Sequence, residues 1–311
     1  MPCFNSLMTI KKPKKISPEP QSQTVAVNDI ELEVIIAGRG NPKFAILLHG
    51  FPETNYSWRE QIPYLVEMGY EIYAPNMRGY GQSSKPPLIS DYDIGHLTDD
   101  VAALIDIGAQ GREVTLVGHD WGAAVAWAFA IQRKRQLKHL IVMNVPHPSI
   151  MRAGLKTWAQ MKKSWYIFFF QLPKIPEWRI LKDNAIAITK VFRGAAVDKS
   201  KFPDEVCKVY RDNALIPGAM TAMINYYRAA LSGLRGANGP KLPKIEIPVL
   251  MIWGEADKAL GIELTQGYEG VRYSDLVEDF TLKTLPNVSH WVQQEAPDAV
   301  NAIMGEWLKL K

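Results

Sequence analysis

The segment Val114-Thr115-Leu116-Val117-Gly118-His119-Asp120-Trp121-Gly122-Ala123-Ala124 passes from a short apolar run through a turn of small residues into helix formers. It reads as a strand, a sharp turn and a helix, with glycine on either side of one polar residue. That pattern, G-x-Nuc-x-G, is what a nucleophile elbow requires, because the nucleophile sits in a strained turn where neighbouring side chains would clash. The central position holds Asp120 rather than Ser or Cys. A lone G-x-D-x-G also occurs in ordinary turns, so its meaning depends on partners elsewhere in the chain.

Outward from this segment, short apolar runs at 44–48, 71–74, 140–143 and 249–253 join 114–117 as strands. They lack alternation, which points to burial on both faces. Upstream, 24–27 and 30–36 flank Asn28-Asp29 and predict a hairpin. Helical stretches fall at 58–68, at 94–107 behind Asp91 and Asp93, at 123–133 and at 299–308. Strand and helix alternate, which predicts a mostly parallel, doubly wound α/β sheet. Residues 146–246 break the rhythm: rich in aromatics, Lys and helix formers, they predict a helical cap inserted late in the sheet, over its C-terminal edge. The core is then 24–145 and 247–311, and the Lys-, Pro- and Ser-rich residues 1–23 read as a disordered tail.

The composition of the 311 residues, 47% apolar and 22% charged, excludes collagen-like and coiled-coil chains. Much of the net charge of +4 sits at Lys11, Lys12, Lys14 and Lys15, so the folded part is nearly neutral and no nucleic-acid partner is expected. Cys3 and Cys207 are the only cysteines, which excludes a disulfide framework and a Cys/His metal cluster. No apolar run, that at 165–170 included, reaches the roughly 18 residues of a membrane span. The lysines near the N-terminus follow the apolar part, the reverse of a secretory signal, so a cytoplasmic location is expected.

The partners of an elbow nucleophile come in the order nucleophile, acid, histidine. The strand at 248–253 is followed by Gly254-Glu255-Ala256-Asp257, and the one at 280–285 by Pro286-Asn287-Val288-Ser289-His290. His290 is the only histidine beyond Asp257, which makes it the general base; Glu255 rivals Asp257 as its acid, and Asn144 cannot supply one. After the strand at 44–48 comes His49-Gly50-Phe51-Pro52, whose Phe51 N–H can join that of Trp121 as an oxyanion hole.

These residues together resemble the epoxide hydrolases of the α/β-hydrolase fold, which carry an HGxP segment, a GHDWG-type elbow, a late acid and a late histidine. The resemblance runs from about Thr24 to the C-terminus. It implies two cap tyrosines that bind the epoxide oxygen. Trp165-Tyr166-Ile167-Phe168-Phe169-Phe170-Gln171-Leu172-Pro173 is similar to the family segment with a Tyr five residues before Gln-x-Pro and selects Tyr166. Asn225-Tyr226-Tyr227-Arg228 is similar to the second segment and selects Tyr227. The implied reaction opens an apolar epoxide with water to a vicinal diol, without cofactor or metal.

The chemistry agrees with the residue types. A carboxylate suits displacement at a saturated carbon, giving an alkyl ester on Asp120. The alkoxide that leaves a strained ring needs an acid, which two phenols supply. His290, oriented by Asp257, then activates water to hydrolyse the ester while Phe51 and Trp121 hold the oxyanion. Phe51, Trp121, Tyr166 and Tyr227 would also contact the substrate, and Trp158, Trp165, Phe168 and Trp178 would shape the pocket.

Two alternatives stand beside this reading. A haloalkane or haloacid dehalogenase shares the Asp nucleophile and could use the Trp121 indole as a halide donor, although such enzymes usually pair it with a second Trp or with an Asn just after the HG, where Phe51 stands here, and fluoroacetate-type enzymes carry Arg where this chain has Trp121. A ligand-binding protein of the same fold would need a broken set of catalytic residues.

Overall fold

The computed structural model describes residues 20–155, 157–233, 242–268 and 270–311. Its strands are β1 (Gln21–Val27), β2 (Ile30–Ala37), β3 (Lys43–Leu48), β4 (Tyr70–Pro75), β5 (Val114–His119), β6 (His139–Met143), β7 (Val249–Gly254) and β8 (Phe280–Leu285). They form one eight-stranded sheet in the order β1-β2-β4-β3-β5-β6-β7-β8. β2 is antiparallel to β1 and β4, and every other neighbouring pair is parallel. β1 begins at Gln21, before the Thr24 read from the sequence. Gln21, Ser22 and Gln23 pair with Ile36, Ile35 and Val34 of β2, so the strand takes in three residues assigned to the tail. Polar side chains are tolerated there because β1 is an edge strand and all three are exposed or half-buried. Residues 1–19 of the tail lie outside the described residues.

The first helices are α1 (Gln61–Glu67), α2 (Ile94–Gly108) and α3 (Trp121–Gln132). Asp93 caps α2 by accepting the His96 N–H, which satisfies one of the orphan donors of the first turn. Between β6 and β7 lie α4 (Pro148–Gly154), α5 (Trp158–Lys163), α6 (Trp165–Phe169), α7 (Ile175–Ala195), α8 (Asp204–Leu215) and α9 (Ala219–Gly233), with no strand among the described residues. The chain closes with α10 (Tyr273–Leu276), α11 (Val292–Glu295) and α12 (Pro297–Leu310).

The central strands are apolar at consecutive positions because both faces of the sheet are covered. Ile46, Leu48, Leu116, Val142 and Met251 pack on one side with Leu97, Val101 and Leu104 of α2 and Ala126 and Phe129 of α3. Ala45, Leu47, Val117, Ile141 and Leu250 pack on the other with Leu65 of α1 and Met304 and Trp307 of α12. The chain leaves β3 toward β4 on one side and returns to β5 on the other. Between the carboxyl ends of β3 and β5 the order reverses, and open α/β sheets form their binding crevice at such a point.

Candidate active site

Asp120 follows β5 directly and precedes α3 at φ 48° and ψ −120°, a conformation rarely held by a residue with a side chain. The strain is held by close backbone approach on both flanks. A Cβ on Gly118 would lie 2.4 Å from the Gly122 carbonyl oxygen, and one on Gly122 would lie 2.0 Å from that of Leu48. The loop after β3 presses equally close, since a Cβ on Gly50 would stand 2.4 Å from the Asp120 Cβ. That contact brings the Phe51 N–H within 2.7 Å of Asp120 Oδ1, to which it donates. Trp121 is the first residue of α3, so its N–H has no partner within the helix.

The second Asp120 oxygen faces His290, with Oδ2 3.4 Å from Nε2. On the other side of the ring, His290 Nδ1 lies 2.7 Å from Asp257 Oδ2. Asp257 follows β7 and is held from three directions: its Oδ1 accepts the Ala259 and Leu260 N–H groups at 2.7 and 2.9 Å, and its Oδ2 accepts Asn144 Nδ2 at 2.7 Å. Glu255 is exposed. Of the two acids the sequence left as rivals, the one against the imidazole is Asp257.

Burial alone would keep these groups neutral, but their mutual attraction wins. Burial opposes the His290 charge, yet Asp257 and Asp120 raise its pKa well above the ordinary histidine value. Burial also opposes charge on Asp120 and Asp257, and His290 nevertheless holds both below the usual carboxylate range, helped by the Phe51 amide and by the Leu260 amide and Asn144 respectively. Each of the three groups is thereby shifted toward its charged form.

Beneath it lies a second pair absent from the sequence reading. Glu53 and His119 are fully buried, with Oε2 and Nδ1 2.8 Å apart. Glu53 also accepts the Gly50 N–H and the side-chain amides of Gln293 and Gln294, at 2.7–2.9 Å. His119 Nε2 lies 2.8 Å from the His290 carbonyl oxygen. Burial favours a neutral Glu53, but His119 keeps its carboxyl below its ordinary value. Each ring nitrogen of His119 thus faces an oxygen of a different loop. The pair ties the loop of Gly50 and Phe51 to the segment that carries His290. The signal was present in the x of G-x-D-x-G and in the residue after Pro52, but neither follows from the chemistry of the nucleophile.

The helical segment between β6 and β7 supplies two phenols. Tyr166 on α6 and Tyr227 on α9 have ring centroids 5.9 Å apart, and Tyr227 packs edge-on against Trp121 at 5.0 Å and Phe51 at 5.3 Å. Burial, with the Asp120 charge added, raises both phenols above the ordinary tyrosine value, so both stay protonated. The flanking residues lock the two helices together. Gln171 Nε2 donates to the carbonyls of Ile167 and Tyr227, and Arg228 donates to those of Phe170 and Leu172 while pairing with Glu177 at 2.8 Å.

The pocket-shaping aromatics depart from expectation. Trp165, Phe168 and Trp178 are 62%, 56% and 64% exposed, while Phe170, buried on the same segment, meets Phe51 at 5.5 Å. The residue spacing of α6 puts Tyr166 and Phe170 on one side and Trp165 and Phe168 on another. The Trp158 side chain lies outside the described residues. Among those residues no cluster of three or more His, Cys, Asp or Glu is placed to hold a metal ion, and no helix is long and apolar enough to cross a membrane.

Residues 46–297 match the family model of the alpha/beta hydrolase fold. The chain is 38% identical to the AB hydrolase superfamily protein YfhM of Bacillus subtilis, over 92% of this chain and 97% of that one. It is 35% identical to epoxide hydrolase 3 of Xenopus tropicalis, over 90% of this chain and 75% of the relative. The crystal structure of an epoxide hydrolase from Bacillus megaterium bound to an inhibitor superposes with a TM-score of 0.80 at 30% identity, covering 92% of this chain and all of that one. The fold, the family match and these relatives together make the chain a member of the α/β-hydrolase-fold epoxide hydrolases.

Proposed function

We propose that the protein opens apolar epoxides to vicinal diols through an alkyl ester on Asp120. The observation that carries this reading is one half-buried carboxylate with the His290 imidazole 3.4 Å from one oxygen and two protonated phenols, Tyr166 and Tyr227, close enough to feel its charge. Asp120 Oδ1 stays on the Phe51 amide, and Oδ2 attacks a ring carbon. The new C–O bond forms as the ring C–O bond breaks, and the ring oxygen takes a proton from Tyr166 or Tyr227, to be restored later from solvent. Protonated phenols beside a leaving oxygen typically contribute about 10²–10⁴-fold.

Esterification removes the Asp120 charge, and with it one of the two carboxylates that hold the proton on His290. The imidazolium then gives up its proton more readily and becomes the base for the second step. It takes a proton from water, the hydroxide adds to the Asp120 Cγ, and the Phe51 and Trp121 amides carry the oxyanion. Collapse expels the diol oxygen, which takes the proton from His290, and the Asp120 carboxylic acid left behind passes its own proton to His290, restoring the carboxylate and the imidazolium. Asp257 holds the imidazole in orientation throughout, completing a catalytic triad.

A dehalogenase is less well supported, because Phe51 offers no second halide donor beside the Trp121 indole. Styrene oxide, an aliphatic epoxide, a fatty-acid epoxide and a haloalkane form the test panel. The proposal expects diol from one or more epoxides and no halide release; halide release without diol would contradict it.

A further inference from the structure

Residues 162–182 present two faces. The inward one carries Tyr166 and Phe170, both in ring contact with Tyr227. The outward one carries Trp165, Phe168, Leu172, Ile175 and Trp178, each between 43% and 64% exposed. Among the described residues, the exposed Trp and Phe side chains all belong to this face. Leu88 and Ile89 extend it: they are 61% and 45% exposed, and Ile89 meets Pro173 and Lys174 in a surface cleft of about 500 Å³. Three cations, Lys174, Arg179 and Lys182, are interleaved with the apolar residues, and Lys162 and Lys163 precede them, Lys163 paired with Glu263 at 3.3 Å; the acid within the stretch is Glu177. Glu177 is taken up by Arg228, and Lys182 lies 6.0 Å over the Trp178 ring.

We propose that this face docks on an anionic lipid surface. Exposed Trp, Phe and Leu beside Lys and Arg suit the boundary between headgroups and acyl chains, where aromatic rings insert and the cations pair with anionic headgroups. A second copy of the chain fits the charge poorly, since an isologous contact would bring the same cations face to face. Docking would also turn the segment that bears Tyr166 toward the phase in which apolar epoxides dissolve, a consequence that rests on the function proposed above.

Co-sedimentation of the full chain with vesicles of phosphatidylcholine and phosphatidylserine in equal parts, and with phosphatidylcholine alone, tests the proposal without reference to turnover. The chain is expected to bind the anionic vesicles more tightly and to leave them as salt rises. Replacing Trp165→Ser, Phe168→Ser and Trp178→Ser together should weaken partitioning by about tenfold or more. Lys174→Glu with Arg179→Glu should weaken binding to the anionic vesicles while leaving the neutral ones little changed, and it carries the test if the triple variant loses its near-UV circular dichroism. A chain that stays in the supernatant with both vesicles, or an apolar variant that binds like the parent, would overturn the proposal. A parent that forms dimers which the apolar variant loses, with neither binding vesicles, would assign the face to a second copy instead.

Discussion

At the scale of single residues, the site is a balance of charges that its own chemistry upsets. In the resting protein Asp257 and Asp120 both raise the pKa of His290 against burial, and in the ester proposed above only Asp257 would. His290 is therefore expected to titrate at lower pH in the alkylated protein than in the free one. Histidine NMR of the free chain, set beside the acid limb of ester hydrolysis in single turnovers, checks this; an acid limb at or above the free-enzyme titration would contradict it. Asp257→Asn should lower diol formation by on the order of 10³-fold or more and Glu255→Gln far less, since a carboxylate is needed only against the imidazole. A larger loss in the Glu255 variant would reverse the assignment. Single Tyr166→Phe or Tyr227→Phe changes should slow alkylation in rapid-quench measurements, and the double change should approach the loss of Asp120→Ala, because groups acting as a unit are not additive. A double variant that alkylates near the parent rate would make the tyrosines packing residues.

Among elements, Arg228 connects the two helices that carry the phenols. Its guanidinium reaches the carbonyls of Phe170 and Leu172 beyond α6 from a position on α9. Arg228→Ala should cost about 1–3 kcal/mol in urea unfolding, and it should slow alkylation more than ester hydrolysis, because the phenols serve only the first step. Equal slowing of both steps would count against the positioning role. The strands and core helices were legible because a strand covered on both faces reads as an unbroken apolar run, as in β3 and β5. The start of β1 was less legible, since an edge strand can carry Gln-Ser-Gln and still pair. The outward turn of Trp165, Phe168 and Trp178 was hidden for another reason: composition shows aromatic content, but only the packing of α6 against α9 decides which side faces Asp120.

For the molecule as a whole, the loops after β3, β5, β7 and β8 meet at one edge of the sheet. Asp120, Asp257 and His290 were visible in the sequence because chemistry dictates their types and order. Asn144, Glu53 and His119 were not, because they act on other protein groups and any residues holding those loops would serve. Buried histidines also set the response to pH. His49 and His147 are fully buried, and burial lowers each to about 4, so between there and the ordinary 6.5 the unfolded chain binds more protons and stability falls as pH falls. The effect is on the order of 3 kcal/mol for each when fully expressed. Below the ordinary carboxylate values the depressed Asp120, Asp257 and Glu53 add a further loss as pH falls through their folded-state pKa values. His290 works in the opposite sense: its raised pKa contributes stability below 6.5 that is lost as pH rises through its folded value. Urea unfolding should therefore be hardest near pH 6.5, and stability rising steadily from pH 6.5 to 9 would contradict this. The central claim, that Asp120 is alkylated and His290 releases the product, is tested most directly by the mass of the intact His290→Gln chain after exposure to styrene oxide. The account predicts a stable adduct of one substrate mass on the peptide that contains Asp120; an unmodified chain, or an adduct on another peptide, would contradict it.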